Sequence, residues 1–185
     1  MMFVDPSGEV PWLVFAAVAL LGGGANVYNN WDNIDGFWQG LSSFVAGAGL
    51  GVGIVASGGS LGAVLAVGAG GGAVVGAHND IVAQTGKNFD GIEDVDWGEV
   101  GKSAVVSSIA TTAAVGAGYL TAGATGLTAN GVNSPLARGV VTGAVAGGAG
   151  HIVGGTAYRL IDGQPLGKAF TNPFEGVWRS LIWGG

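Results

Sequence analysis

Long stretches without an ionised side chain alternate with short polar segments along the chain. The charge-free stretches cover 10–30, 36–79, 103–137 and 139–158. Each is far longer than a typical β-strand, and an apolar run of this length is typical of a helix. The pattern therefore predicts an all-α protein.

The longest charge-free stretch contains the sequence SGGS at 57–60. Glycine and serine clusters of this kind mark turns. The cluster divides the stretch into two predicted helices, 38–56 and 61–84, joined as a hairpin.

Further helices are predicted from local start signals. One covers 97–118, since the acidic Asp96 suits a helix N-terminus. A loop or broken helix is predicted at 121–135, and Pro135 opens a helix at 135–161 because proline is favoured in a first turn. The segment 173–183 has an amphipathic helical pattern.

The apolar run 12–21 has the length of a secretory signal. Such a signal begins with cationic residues, whereas Asp5 and Glu9 make this N-terminus acidic. Pro11 also suits the first turn of a helix. We favour a helix of the mature protein over a signal peptide.

Glycine accounts for 39 of the 185 residues. Each glycine inside a helix costs about 1 kcal/mol relative to alanine, so a compensating contact is expected. Glycines that recur every four residues lie on one helix face and allow two backbones to approach closely. The predicted helix-packing glycines are Gly47, Gly51, Gly68, Gly72, Gly76, Gly139, Gly143 and Gly147. We expect glycine- and alanine-rich helical hairpins that pack through these small-residue faces.

The lengths of the charge-free stretches are consistent with two environments, water and a lipid bilayer. A membrane-spanning helix needs about 20 apolar residues, and 36–56, 61–81 and 103–121 reach about that length. Their glycine and alanine content makes them only modestly hydrophobic, and the connectors lack the Lys/Arg excess that sets an orientation. The pattern indicates a marginal membrane domain that stays soluble or sheltered before it inserts.

The tryptophans flank the charge-free stretches. In a membrane protein, tryptophans at such positions form an interfacial belt. In a soluble helical domain, they would instead cover the ends of a small-residue core. The predicted interfacial aromatics are Trp12, Trp31, Trp38, Trp97, Trp178 and Trp183.

Charge disfavours nucleic acid as a partner. The net charge is −6, and the six Lys and Arg residues are scattered singly rather than arrayed against phosphates. The absence of cysteine excludes disulfide and thiolate chemistry.

The sequence offers little support for catalysis, a metal or a cofactor. The GKS at 101–103 resembles part of a phosphate-binding loop, but Asp96 stands where the motif requires glycine. His78 and His151 could bind a metal with Asp80 and Asp162, yet zinc sites need closely spaced ligands, and helix-end histidines are the simpler interpretation. No GxSxG nucleophile motif is present. We expect a non-enzymatic protein without a cofactor.

The opening FVDPSGEVPW at 3–12 resembles the end of the RHS-repeat-associated core of bacterial polymorphic toxins. That core ends in an Asp-Pro-x-Gly signature, matched here by Asp5, Pro6, Ser7 and Gly8. The following 29–53 is similar to the glycine-rich tails found after this signature. The resemblance implies that 1–10 is a remnant of the RHS core, with Asp5 and Gly8 as a processing remnant, and that 11–185 forms a single glycine-rich helical domain.

Two functions are consistent with this picture. The first is a membrane-inserting, pore-forming or depolarising tip of an RHS-type toxin, secreted by the producing bacterium and acting at the target-cell membrane. The alternative is a non-enzymatic structural or translocation module that is soluble or enclosed in the RHS shell. The candidate partners are the target-cell membrane, the RHS shell of the parent protein, a cognate immunity protein and, in the membrane, further copies of the chain.

Overall fold

The computed structural model describes residues 12–56, 60–85, 94–124 and 135–165, and these residues are almost entirely helical. No strand occurs within these ranges, so the predicted all-α fold is confirmed. The elements are α1 (Trp12–Asn29), a 3₁₀ turn (Trp31–Asn33), α2 (Phe37–Ala56), α3 (Leu61–Thr85), α4 (Trp97–Ala124) and α5 (Pro135–Ile161).

Most helix ends lie within one residue of their predicted positions, but α4 is longer than predicted. The sequence suggested an end at residue 118 and a loop from 121, whereas α4 continues to Ala124. Gly118 does not end the helix because it packs in the interior, where a Cβ atom would lie 3.3 Å from Ala146 of α5. The predicted helix at 173–183 lies outside the described residues.

In the described part of the chain, two helix starts carry side-chain caps, and the sequence predicted the one at Asp96. The Asp96 carboxylate accepts hydrogen bonds from the backbone N–H groups of Gly98 at 2.8 Å and Glu99 at 3.2 Å, which caps α4. Ser60 accepts a bond from the N–H of Ala63 at 3.3 Å and caps α3 in the same way.

Each helix packs mainly against its neighbours in sequence, in the order α1, α2, α3, α4, α5. Successive helices are antiparallel. In the α4–α5 pair, for example, Lys102 near the start of α4 binds Asp162 just after α5, whereas Gly118 late in α4 lies against Ala146. Two ends of the molecule follow from this arrangement.

We call one end the rim end. It contains the C-terminal ends of α1, α3 and α5 and the N-terminal ends of α2 and α4. We call the opposite end the tip end, where α2 ends and α3 begins on either side of the SGGS sequence at 57–60. Residues 57–59 themselves lie outside the described part.

Large apolar side chains contribute little to the interior. Among the described residues, the buried hydrophobic side chains are four valines, Val64, Val82, Val95 and Val100. Much of the remaining buried surface consists of glycine and small polar residues. A soluble domain of this size would ordinarily bury leucine, isoleucine and phenylalanine in its core.

Candidate membrane-contact surface

The outward faces of the helices carry the larger apolar side chains. Leu21 of α1 is 72% exposed, Trp38 of α2 is 76% exposed and Val74 of α3 is 64% exposed. Further exposed aliphatic residues on these helices and on α4 are Leu20, Leu41, Val45, Leu61, Val105, Ile109 and Leu120. The result is an apolar surface that extends along the sides of the helices.

A shallow groove between α2 and α3 forms part of this surface. Its walls include Leu41 and Val45 from α2 and Val74 from α3, and Trp38 and His78 lie toward its rim end. The groove is thus apolar along the helices and becomes more polar toward the rim.

The inward faces carry glycine. On α2, a Cβ atom at Gly47 would overlap the carbonyl oxygen of Gly22, and one at Gly51 would lie 2.6 Å from the carbonyl oxygen of Val18. Real Cβ atoms essentially never approach other atoms this closely. Both of these predicted glycines therefore lie at the contact between α1 and α2.

The α3–α4 contact places glycine opposite hydroxyl groups. Gly68, Gly72 and Gly76 are all buried. A Cβ atom at Gly72 would lie 2.7 Å from both the Ser107 carbonyl oxygen and the Thr111 hydroxyl oxygen, and one at Gly76 would overlap the Ser103 carbonyl oxygen.

The α4–α5 contact uses glycines that the sequence interpretation missed. A Cβ atom at Gly150 would lie 3.1 Å from the Ala110 carbonyl oxygen, and one at Gly154 would lie 2.7 Å from the Ala110 side chain. Gly147 is buried, and Gly139 and Gly143 belong to α5, although their packing lies outside the described part.

The four-residue spacing of Gly150 and Gly154 was a signal that could have found this pair. The hydroxyl residues Ser103, Ser107 and Thr111 have the same spacing on α4, and that signal was also available in the sequence. Both sets were overlooked because each lies within a longer run of small residues.

The described tryptophan side chains gather at the rim end. Trp31 lies in the 3₁₀ turn after α1, Trp38 in the first turn of α2, and Trp97 opens α4. All three are more than half exposed. Other exposed aromatic residues at this end are Tyr28, Phe37 and Tyr158.

Of the remaining predicted tryptophans, Trp12 alone belongs to a described helix. Trp12 opens α1 and so lies at the tip end. Trp178 and Trp183 lie outside the described residues, as do Asp5 and Gly8.

The charged side chains that the structure describes also lie at the rim end. Lys102 of α4 binds Asp162 and, at 3.3 Å, Glu99, and its ammonium group lies 4.3 Å from the centre of the Tyr158 ring. Asp80 of α3 accepts a hydrogen bond from the Ser103 hydroxyl at 3.1 Å. The other charged side chains at this end are Asp32, Asp35, Asp94, Asp96 and Arg159.

A buried polar cluster joins three helices near the rim end. The side-chain amides of Asn26 on α1 and Asn79 on α3 bind each other reciprocally, at 2.8 and 3.2 Å. Asn26 also donates to the Ser43 carbonyl of α2 at 2.7 Å, and Asn30 donates to the Ser43 hydroxyl at 3.3 Å. These residues were not predicted, although asparagine is unusual within apolar stretches and could have drawn attention.

We expect Asn79→Leu to lower the free energy of unfolding by about 1–3 kcal/mol, because it leaves the buried Asn26 amide without its reciprocal partner. Thermal or denaturant unfolding followed by circular dichroism measures this change. Ser42→Ala is the matched control, since the Ser42 hydroxyl bonds only within its own helix, to the Gln39 carbonyl at 3.0 Å. Equal losses in the two variants would contradict a role for the interhelical amide pair.

The two histidines that the sequence offered as metal ligands lie on different helices. His78 lies on α3, where its Nε2 atom is 3.5 Å from the Ser43 hydroxyl, and His151 lies on α5. Within the described ranges, no group of three or more His, Asp or Glu residues could hold a metal ion. The lysine of the GKS sequence is engaged with Asp162 and Glu99.

Three of the described helices are long and apolar enough to cross a membrane by length and composition: Phe37–Ile54 in α2, Leu61–Thr85, and Trp97–Thr121 in α4. They include most of each of the three stretches that the sequence indicated. No family model matches the chain, and neither a curated protein nor a solved structure was found to be similar to it.

Proposed function

We propose that this chain is the membrane-inserting tip of an RHS-type polymorphic toxin, which permeabilises or depolarises the target-cell membrane. The observation that carries the proposal is that the closest contacts between helices involve small residues, while many large apolar side chains are exposed. This is the reverse of the usual distribution in a soluble domain. Glycine, serine and threonine occupy the closest helix contacts, where Phe44, Leu50 and four buried valines add a few larger side chains, while many other leucine, valine and tryptophan side chains are exposed.

This distribution suits lipid better than water. In a bilayer, outward aliphatic side chains meet acyl chains of similar polarity, and helix association depends on close contact between small residues. In water, large contiguous apolar patches are uncommon and usually mark a binding surface. The packing at Gly47, Gly72 and Gly76 fits the first environment.

The exposed aromatic residues at the rim end support the same proposal. Tryptophan and tyrosine concentrate where a membrane meets water, since their rings are apolar and their polar groups need hydrogen bonds. Trp31, Trp38 and Trp97 are exposed at the end where the charged side chains are also found.

The toxin part of the proposal rests on the resemblance of residues 3–12 to the end of the RHS core. A protein released from an RHS shell would need a domain that acts after delivery to another cell. The resemblance supports secretion, enclosure in the shell before release, and a cognate immunity protein in the producing cell.

We expect the purified chain to release a dye trapped in phospholipid vesicles. Apolar helices with uncharged turns can enter the hydrocarbon region without carrying ionised groups across it. Fluorescence dequenching of the released dye measures the effect. If the chain is instead a soluble structural or translocation module, the vesicles will retain their dye and expression in a bacterial periplasm will leave the membrane potential unchanged.

A further inference from the structure

Charge is distributed unequally between the two ends of the α2–α3 hairpin. At the rim end, Asp32 and Asp35 precede α2, and Asp80 lies near the end of α3. At the tip end, the helices are joined by SGGS at 57–60, which carries no charge. Both helices are among those that are long and apolar enough, by length and composition, to cross a membrane.

We propose that the α2–α3 hairpin crosses the bilayer with its tip end leading, so that the rim end stays on the side from which the chain approaches. This inference rests on the proposed function and adds the direction of insertion and the position of each end. The uncharged residues 57–60 carry no ionised group through the hydrocarbon, so only backbone and hydroxyl groups lose water there, whereas the Asp32, Asp35 and Asp80 carboxylates would each have to shed their water.

The length of the hairpin matches a complete crossing. α2 has 20 residues, which at 1.5 Å per residue span about 30 Å, close to the thickness of the hydrocarbon core. If Trp38 lies at the interface of the near leaflet, the C-terminal end of α2 reaches the far leaflet.

The polar groups near the rim fix where insertion stops. Asp80 binds Ser103 of α4 and accepts a hydrogen bond from Gln84 at 2.5 Å. The amide cluster around Asn26 and Asn79 lies beside this group along α3. Pulling these residues deeper would remove water from a carboxylate and several amides.

The proposal is confined to α2 and α3. Arg138 lies in the first turn of α5, at the tip end, and the acidic Asp5 and Glu9 precede α1. These charges make α1 and α5 poorer candidates for the leading element.

Three glycines provide matched positions for a test. Gly36 lies at the rim end before α2, Gly49 in the middle of α2, and Gly62 in the first turn of α3 at the tip end. A Cβ atom at any of them would meet nothing within 4 Å. The chain has no cysteine, so Gly36→Cys, Gly49→Cys and Gly62→Cys each introduce a unique thiol.

Each variant is added to preformed phosphatidylcholine vesicles and treated with a membrane-impermeant maleimide, either outside the vesicles or trapped within them. We expect Gly36→Cys to react only with the outer reagent and Gly62→Cys only with the trapped reagent. Gly49→Cys should react with neither, and a polarity-sensitive dye attached to this thiol before insertion should shift to the blue in vesicles. All three thiols should react fully in detergent-free buffer without vesicles.

Other patterns overturn the inference in distinguishable ways. Outer labelling of Gly62→Cys together with protection of Gly49→Cys would show that the hairpin embeds without crossing, and labelling of Gly36→Cys from within would show the opposite direction. Outer labelling of all three thiols, with no spectral shift at position 49, would show that the hairpin does not insert. The proposed function would survive the first two results and fail with the third if dye release is also absent.

Discussion

Gly72→Leu is expected to lower the free energy of unfolding by about 3 kcal/mol, at the upper end of the usual range for overpacking, since the helix contact must move apart. A Cβ atom at this position would lie 2.7 Å from the Ser107 carbonyl oxygen and 2.8 Å from the Thr111 Cβ atom. The first of these atoms belongs to the backbone of α4, which cannot rotate away as a flexible side chain would. Thermal unfolding followed by circular dichroism, in water and in detergent micelles, measures the loss.

The matched control is Gly70→Leu, two residues earlier in the same helix. Gly70 is exposed, and a Cβ atom there would meet nothing within 4 Å. Because leucine favours a helix over glycine, this variant should be as stable as the parent or more stable by up to about 1 kcal/mol.

A comparable loss in both variants would show that the spacing of Gly68, Gly72 and Gly76 has no special role in packing. Gly72→Ala and Gly70→Ala refine the comparison, because they add only a single methyl group. The sign of the effect should differ between these two alanine variants.

Placing two lysines between α2 and α3, as Gly58→Lys with Gly59→Lys, is expected to reduce vesicle leakage by a factor of 100 or more. On insertion scales a lysine at the centre of a bilayer costs about 2.5–3.5 kcal/mol, and every 1.4 kcal/mol changes a rate or population about tenfold. Both lysines must pass through the hydrocarbon if this turn leads. Dye release from vesicles and depolarisation after periplasmic expression measure the effect.

The control adds the same charge at the rim end, as Gly36→Lys with Gly101→Lys. Both glycines are exposed, and a Cβ atom at either would meet nothing within 4 Å. We expect nearly parental leakage, since these lysines remain in the headgroup region. Helical content in water should be unchanged in both double variants.

If the Gly58→Lys, Gly59→Lys variant causes as much dye leakage as the unmodified chain, this hairpin is excluded as the inserting element. Equal loss of leakage in both double variants would instead indicate that the acidic net charge of the chain controls its activity. Only the difference between the two ends supports insertion led by the turn.

Helix positions were largely determined by local sequence. The SGGS sequence at 57–60, the Asp96 cap and Pro135 each act on the backbone within one or two helical turns, so the end of α2 and the starts of α3, α4 and α5 could be located from residue type alone. The end of α4 could not, because a contact with Ala146 of α5 offsets the helix-breaking tendency of Gly118.

The glycine spacing indicated which helix faces carry only small residues. The structure decided which residues of the neighbouring helix each of these faces contacts. Opposite Gly72 and Gly76 lie Ser103, Ser107 and Thr111 of α4. The residue pattern of α3 does not predict these partners, because the pairing depends on how two separate helices align.

The polar residues also divide into features that the sequence predicts and features that only the structure shows. The sequence by itself determined that charges lie between the long charge-free stretches and that SGGS at 57–60 carries none. Only the tertiary structure decided that the antiparallel order brings the described charged side chains to one end with Trp31, Trp38 and Trp97, and that Asn26 and Asn79, 53 positions apart, form a part-buried amide pair. The physical reason is that the composition of a helix fixes its length and its ends through local bonds, whereas its neighbours depend on surfaces supplied by distant parts of the chain.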